Sequence, residues 1–375
     1  MRICIDASPA VHGRAGIGRY VQELAPAILR VAPDQSLAVF YNRAAAARPV
    51  PPLDRMPHLA VPWGDKPWRL RVLLAHLAHV SQEALFPGME LFHATDNLLP
   101  RLNHMRSVFT LHDLAFARYP ETQTTLNRLF LRSMTPRFLR AADRVIAISE
   151  ATKSEAVRLF GIRAERIRVV PLGVSAAFTP ATADAADAVC RKYGLPRTFV
   201  LSVGTLEPRK NHVTLLSAYK ALRNRNVDVG LVIAGKRGWR CDAFFERVRA
   251  LGLEGKVTLT GFVPDADLPA LYSAGAVFAF PSLHEGFGLP PLEAMACGTP
   301  VVAADAASLP EVIGNAGLLV DPRDDVALAR AIERALTDVN LRASLRARGL
   351  ERAALFTWER TARETLQVYE EALGQ

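Results

Sequence analysis

Apolar positions fall in short blocks that end at glycine, proline or a charged residue, and between the blocks the spacing widens to that of amphipathic helices. Blocks that are apolar at every position, rather than at alternate ones, suit strands buried on both faces of a parallel sheet. The first block, Arg2 to Asp6, is followed by a glycine-containing stretch and then by Val21, Leu24 and Ile28, one face of a helix predicted to begin near Tyr20. Residues 37–41 form the next strand, and the proline-rich piece from Arg48 to Pro67 reads as a surface connection. A helix is predicted from about Trp68 to Leu85, then a short strand from Glu90 that ends at His93. The block from Ser107 is a buried strand whose C-terminal end delivers His112 and Asp113. Residues 122–141 set Arg128, Arg132, Arg137 and Arg140 among Leu129, Phe130, Leu131, Met134, Phe138 and Leu139. They read as a helical segment broken near Pro136, with its apolar face in the core and its arginines in water; a basic amphipathic surface for a membrane is the competing reading. Arg144 to Ser149 is another strand, with Ser149 placed to cap the helix after it, and Ile167 to Val174 closes the half.

The same alternation then starts again. Ser175 to Lys192 reads as a connection and a first surface helix, Thr198 to Gly204 as a strand, and a helix begins at about His212. Val229 to Lys236 is a strand ending in glycine and lysine, and Val257 to Val263 is a further strand. Asp265 reads as the cap of the helix entered at Leu268 rather than as half of a metal-binding pair with Asp267. Val277 to Phe280 is a buried strand, Pro290 and Pro291 open a short helix that stops at Gly298, and Pro300 begins the next strand. Helices run from Asp325 to Leu373, with Trp358 near the start of the last. Two successive α/β halves follow, residues 1–175 and 176–356.

Composition narrows the class. A chain of 375 residues has room for two ordinary domains, and 50% hydrophobic against 22% charged residues without low-complexity tracts excludes disorder. The segment Met1 to Ser8 is too short an apolar run for a signal peptide, and no stretch reaches the length of a membrane span, so a cytoplasmic location is expected. Cys4, Cys190, Cys241 and Cys297 are too scattered for a metal site or a disulfide framework. Charge is uneven. Residues 1–175 hold 21 Arg and 2 Lys against 14 acids, whereas residues 176–375 hold 23 of each sign. A basic first half prefers an anionic partner such as a membrane surface or a lipid-phosphate acceptor. Nucleic acid is disfavoured, because the arginines are scattered and no aromatic-rich binding motif accompanies them.

In a parallel sheet the loops leaving the C-terminal strand ends face the ligand, so Ser282 to Leu289 should line a site. Glu285 lies in that loop, and Glu293 lies eight residues on, in the first turn of the next helix. Arg209 and Lys210 stand where a helix begins, and two fixed cations beside a helix dipole suit a diphosphate. The backbone amides of Gly16 and Gly18, in the stretch between the first strand and helix, offer a second anion layout. A dinucleotide fingerprint would place a third glycine where Val21 stands, which disfavours a nicotinamide oxidoreductase.

The runs Gly204-Thr-Leu-Glu-Pro-Arg-Lys-Asn, Ile233-Ala-Gly, Gly261-Phe-Val and His284-Glu-Gly-Phe-Gly-Leu-Pro-Pro-Leu-Glu-Ala-Met-Ala-Cys-Gly-Thr-Pro-Val-Val resemble the retaining glycosyltransferases of family 4. The resemblance covers nearly the whole chain. It implies an α/β architecture of the GT-B type, two Rossmann-like domains facing each other across a cleft, with the donor held by the second and the final helix, about 357–375, packing back on the first. It implies that Glu285 approaches the donor sugar hydroxyls, that Glu293 binds the ribose, and that the amides of Gly286, Phe287, Gly288 and Leu289 hold the sugar and diphosphate. Lys210 with Arg209 would neutralise the leaving diphosphate, Gly16 would pack close to it from the opposite domain, and His112 would contact the sugar near the reacting centre; Gly18 is counted with Gly16 among the binding residues. Gly204, Gly235, Lys236, Phe262, Val263 and Ser282 complete the implied donor site. The family often carries Arg after the glycine matching Gly204; here Thr205 stands there, which shifts phosphate charge onto Arg209, Lys210 and Lys236. The expected function is sugar transfer, with mannose from GDP-mannose favoured and UDP-glucose or UDP-N-acetylglucosamine as the alternative. The acceptor would be a glycan or lipid-linked molecule in cell-surface polysaccharide synthesis, met at the inner membrane face, and no cofactor is required. A non-catalytic nucleotide-sugar binder is the remaining alternative.

Overall fold

The apolar blocks fold as strands of two separate all-parallel sheets in a computed structural model that describes residues 1–43, 47–122 and 124–374. Met1–Gly173 and Thr357–Gln375 make one unit, and Val174–Phe356 make the other. In the first unit the strands are β1 (Arg2–Asp6), β2 (Ser36–Asn42), β3 (His58–Val61), β4 (Leu91–Ala94), β5 (Arg106–Leu111), β6 (Arg144–Ala147) and β7 (Ile167–Val169), in spatial order 3-2-1-4-5-6-7. Ile3 pairs with Leu37 on one side and Leu91 on the other, so the winding reverses between β1 and β4. The second unit holds β8 (Phe199–Val203), β9 (Gly230–Ala234), β10 (Val257–Gly261), β11 (Val277–Phe280), β12 (Val301–Ala304) and β13 (Gly317–Val320), in order 10-9-8-11-12-13. Here β8 and β11 are the reversal pair, with Val277 opposite Val200. Loops leaving such a pair diverge and leave a crevice at the carboxyl edge, which places the segments after Val203 and Phe280 side by side.

Several boundaries differ from the sequence reading, each for a local reason. The helix expected near Tyr20 spans Ala15–Val31, so Gly16 and Gly18 lie inside it rather than in a loop. The proline-rich connection contains β3, an edge strand that pattern alone misses because only Val61 of its four residues is fully buried. The helix predicted to reach Leu85 is Asp65–Leu77; Glu83–Leu85 is a separate short turn whose Glu83 carboxylate accepts the amides of Asn103 and Met105. The helix Thr125–Ala141 is unbroken at Pro136. Proline there forfeits the bond to the Arg132 carbonyl, and burial of Leu131, Met134, Phe138 and Leu139 outweighs that loss. Ser149 caps its helix as expected, accepting the Thr152 amide at 3.1 Å. Asp265 does not cap: Asp267 holds the N-cap position of Leu268–Ala274, and its carboxylate binds Lys192 and the Tyr193 hydroxyl, each at 2.6 Å.

The last helix, Trp358–Leu373, packs on Ala15–Val31 and fills the first unit's other face. A buried polar chain ties it down. Tyr369 Oη meets His93 Nδ1 at 2.7 Å, His93 Nε2 meets Thr110 Oγ1 at 2.7 Å, and Thr110 Oγ1 meets Tyr20 Oη at 3.0 Å.

Buried titratable groups make the two units respond differently to acid. Burial holds the imidazoles of His93 in the first unit and His212 in the second far down, each at about 3 against an ordinary 6.5. Below that ordinary value the unfolded chain takes up a proton the folded one refuses, so each histidine removes up to about 1.4 kcal/mol of stability per pH unit across the window. Asp6 acts in the opposite sense: burial, with Asp96 nearby, pushes its carboxyl up to about 7 from 3.8, and acidification relieves that cost. The first unit carries opposed effects, since burial lowers His76 and His112 as well as His93 while raising Asp6, whereas His212 is the one histidine so lowered among the described residues of the second unit. Between about pH 7 and pH 5 the second unit should become more protease-sensitive than it is at pH 7, and His212→Gln should flatten that dependence. Pulse proteolysis with fragments assigned by mass checks this, and equal resistance of the second unit at both pH values would overturn it.

Candidate active site

The candidate site of the second unit is built where the loops after β8, β9 and β11 meet. Gly204 and Gly235 both adopt φ near 156°, and a Cβ on Gly235 would lie 2.0 Å from the Gly204 carbonyl oxygen, so glycine alone lets these loops nest. The Thr205 methyl packs against Gly238, leaving no arginine-like arm at that position. After Glu207 the chain makes a tight turn, Pro208–Lys210, and Asn211 takes a left-handed conformation before helix His212–Asn224. Asn211 Nδ2 donates to the carbonyls of Pro281 and Pro322 at 3.0 and 2.6 Å. The Arg209 carbonyl accepts the Leu283 amide at 2.9 Å, with the Ser282 hydroxyl oxygen 3.1 Å away. The loop after β8 is thereby fixed to the loop after β11.

This bracing delivers four charges to one place. Lys210 Nζ and Ser282 Oγ both donate to Glu285 Oε1 at 2.6 Å, and Arg209 Nη1 donates to Glu285 Oε2 at 2.8 Å. Arg209 also donates to the His284 carbonyl at 2.8 Å and, through Nη2, to Glu207 Oε1 at 2.7 Å. All four side chains are largely buried. Burial alone would raise the Glu285 carboxyl, yet Arg209, Lys210 and the Ser282 hydroxyl outweigh it and hold the group at about 2. Burial lowers the Lys210 ammonium, with Arg209 adding to the effect and Glu285 opposing it. Two carboxylates against two cations leave the group neutral overall. The diphosphate role read from Arg209 and Lys210 therefore involves cations already engaged by acids. Glu207, Asn211 and Ser308, whose hydroxyl holds the Glu285 and Phe287 carbonyls at 2.9 and 2.7 Å, were not singled out from sequence. Glu207 and Asn211 flank the two cations in the same short run, which was the available signal.

Gly288, at φ 115°, caps helix Leu289–Ala296, and a Cβ there would meet Leu309 at 2.7 Å. Glu293 lies in the second turn of this helix, not the first, buried and accepting the Tyr272 hydroxyl at 2.8 Å. Phe287 turns its ring into the core, 5.8 Å from that of Phe356, so only its backbone faces the loop, between Gly286 and Gly288. Phe262 is exposed with Lys236 Nζ 4.6 Å from its ring centroid, and the neighbouring Val263 is buried.

In the first unit, His112 Nε2 lies 2.8 Å from the Thr95 carbonyl, which makes it the donor and leaves Nδ1 as the acceptor. Burial lowers its pKa, so the ring is neutral near pH 7. Asp113 accepts the Ala115 amide and so serves a turn. The Gly18 amide is spent on the Arg14 carbonyl at 2.6 Å, and a Cβ on Gly18 would stand 3.1 Å from the Pro9 carbonyl oxygen, so this glycine allows close packing rather than binding an anion. Gly16 is exposed, with no atom near the position of a Cβ. The same edge carries a polar group that pattern reading passed over: Arg14 pairs with Asp96 and Asp65, and Asn42 Nδ2 donates to Asp65 at 3.0 Å.

Comparison with known proteins decides between the chemistries such a site permits. The model of the family described as Glycosyl transferases group 1 matches residues 191–352, and that of Glycosyltransferase Family 4 matches residues 14–178. O-antigen chain mannosyltransferase B of Escherichia coli is 33% identical over 387 residues, covering 98% of this chain and 99% of its own. The chain belongs to glycosyltransferase family 4. It is thus an enzyme of sugar transfer, and a nicotinamide oxidoreductase or a non-catalytic binder is set aside. The serotype-specific mannosyltransferase WbdA of Escherichia coli is 37% identical over 226 residues, 59% of this glycosyltransferase but 28% of that longer protein. Among solved structures, sucrose-phosphate synthase from Thermosynechococcus elongatus superposes with a TM-score of 0.78 at 25% identity, covering 100% of this chain and 99% of that one. The fold is GT-B. Among the described residues of the glycosyltransferase, no helix is long and apolar enough to cross a membrane.

Proposed function

We propose that this glycosyltransferase moves mannose from GDP-mannose to a glycan or lipid-linked acceptor of cell-surface polysaccharide, with retention of configuration at the sugar. The observation that carries the reading is the clamp of Lys210, Arg209 and Ser282 on Glu285 at the reversal of the second sheet, in a chain aligned end to end with an O-antigen mannosyltransferase. Breaking the bond between sugar and diphosphate builds negative charge on the phosphate and positive character on the ring. Lys210 and Arg209 offset the first, helped by the loop amides of Gly286 to Leu289, and no cofactor is invoked. Glu285 holds both cations through its two oxygens and stays ionised at about 2, which makes it a weak base and a weak nucleophile. Its role in this reading is to orient the cations and accept sugar hydroxyls. His112 Nδ1 is an acceptor suited to a sugar hydroxyl in the first unit. Glu293, fixed by Tyr272, takes the ribose, and the exposed ring of Phe262 with Lys236 suits the rest of the nucleotide.

Donor choice is tested by thermal shift and by turnover with GDP-mannose, UDP-glucose and UDP-N-acetylglucosamine. The true donor at about 100 times its Kd should stabilise the enzyme by about 2.7 kcal/mol. Stabilisation by a UDP-sugar and not by GDP-mannose would replace the mannosyl reading, and the anomeric signal of the product by NMR tests retention. Glu293→Ala should raise the donor KM roughly tenfold or more with a smaller change in kcat, as loss of a charge-assisted hydrogen bond made equally in ground and transition states. An unchanged KM would remove Glu293 from the ribose role.

A further inference from the structure

A band of exposed leucines runs over two neighbouring helices of the first unit. Helix Asp65–Leu77 buries Trp68, Val72 and Ala75 but turns Leu70, Leu74 and Leu77 outward, Leu77 being 58% exposed, and Val80 follows beyond its end. Helix Thr125–Ala141 buries Leu131, Met134, Phe138 and Leu139, while Leu126, 83% exposed, and Leu129 face water. These steps of three and four residues put each set on a single helix face. The helices touch along one seam. Arg69 Nη2 donates to Asn127 Oδ1 at 3.1 Å, the Arg69 guanidinium lies 4.6 Å from the Phe130 ring centroid, and the rings of His76 and Phe138 meet at 5.0 Å. Leu70 and Leu126 adjoin that contact in sequence, so the two apolar rows flank it.

The sign of the surrounding charge selects the occupant. Helix Thr125–Ala141 contains Arg128, Arg132, Arg137 and Arg140 and no acid. Helix Asp65–Leu77 contains Lys66, Arg69 and Arg71, and its one acid, Asp65, is bound by Arg14 and Asn42. Lys66 and Arg132 are exposed and pair with no carboxylate among the described residues. A second copy of the chain on this face would set cations against cations, and an acidic partner protein would leave the leucine rows without an apolar counterpart. A bilayer with anionic headgroups meets both demands at once: leucine tips enter the acyl boundary while Lys and Arg reach the phosphates. We propose that this face of the first unit docks on an anionic lipid surface.

Vesicle co-sedimentation of the full chain, with no sugar nucleotide present, tests this separately from donor choice. Binding is expected to vesicles of phosphatidylcholine mixed with phosphatidylglycerol and not to phosphatidylcholine alone, and it should fall as salt is added. Each basic side chain near such a surface contributes about fivefold, so Lys66→Gln with Arg132→Gln should weaken partitioning about 30-fold at low salt. Leu70→Ser with Leu126→Ser should weaken it at every salt concentration while leaving circular dichroism and turnover on a water-soluble acceptor unchanged. Absence of vesicle binding, equal binding to both vesicle types, or a dimer in sedimentation velocity that the leucine substitutions abolish would each overturn the proposal.

Discussion

Replacing Lys210 by alanine should lower turnover at saturating donor by roughly 10²–10³, the loss expected when one preorganised stabiliser of developing charge is removed. Lys210 and Arg209 are balanced by Glu285 and Glu207, so the four groups sum to no net charge. The ammonium is buried and its pKa is lowered, which means it is poorly solvated and gains most from a new negative partner. A diphosphate ground state offers that partner in part, and the departing diphosphate offers more, so the benefit falls chiefly on kcat rather than on donor affinity. A residue that served only to hold Glu285 would show the reverse pattern, with donor KM and stability moving first. Rates measured across a donor series for parent, Lys210→Ala and Lys210→Arg separate the two. Turnover of Lys210→Ala within a few-fold of the parent would remove the residue from the chemistry.

The parallel sheets were readable because their strands are apolar at every position, a signal that survives without knowledge of neighbours. The loop chemistry of the second unit was equally readable, since Arg209, Lys210, Glu285 and Glu293 sit in two short runs whose ends are marked by glycine and proline. Their mutual arrangement was not. That Glu285 would be held by both cations and by Ser282 depends on Asn211 tying its loop to Pro281 and Pro322, a contact between segments about seventy and more residues apart. In the first unit local packing, not long-range bracing, separates structure from pattern. The sequence places Gly16 and Gly18 in a loop, yet both lie in helix Ala15–Val31, and glycine at 18 serves packing against the Pro9 backbone. Arg14, Asp65 and Asp96 carry no sequence signal, because they come from the N-cap of helix Ala15–Val31, the start of helix Asp65–Leu77 and the loop after β4, and none belongs to a patterned run.

Glu285→Ala should destabilise the second unit by about 3–5 kcal/mol, because it leaves two buried cations facing one another with their shared carboxylate gone. Arg209 retains Glu207 and the His284 carbonyl, so the cost falls mainly on Lys210, whose other close neighbour is the Phe280 ring at 4.9 Å. The unfolding transition of the second unit should shift in urea accordingly, and the double substitution Glu285→Ala with Lys210→Ala should recover a large part of the loss, since no uncompensated ammonium remains. Glu285→Gln is the useful contrast. Its amide oxygen still accepts from Lys210 and Ser282, so the fold should hold with a loss nearer about 1–3 kcal/mol, while the lost charge loosens the grip on Arg209 and Lys210 and lowers turnover. Additive single and double losses would mean that Glu285 and Lys210 do not form the coupled pair seen at 2.6 Å. Strong coupling in stability together with a stable, slow Glu285→Gln enzyme would place Glu285 as the group that orients the cations, the role its depressed pKa already favours.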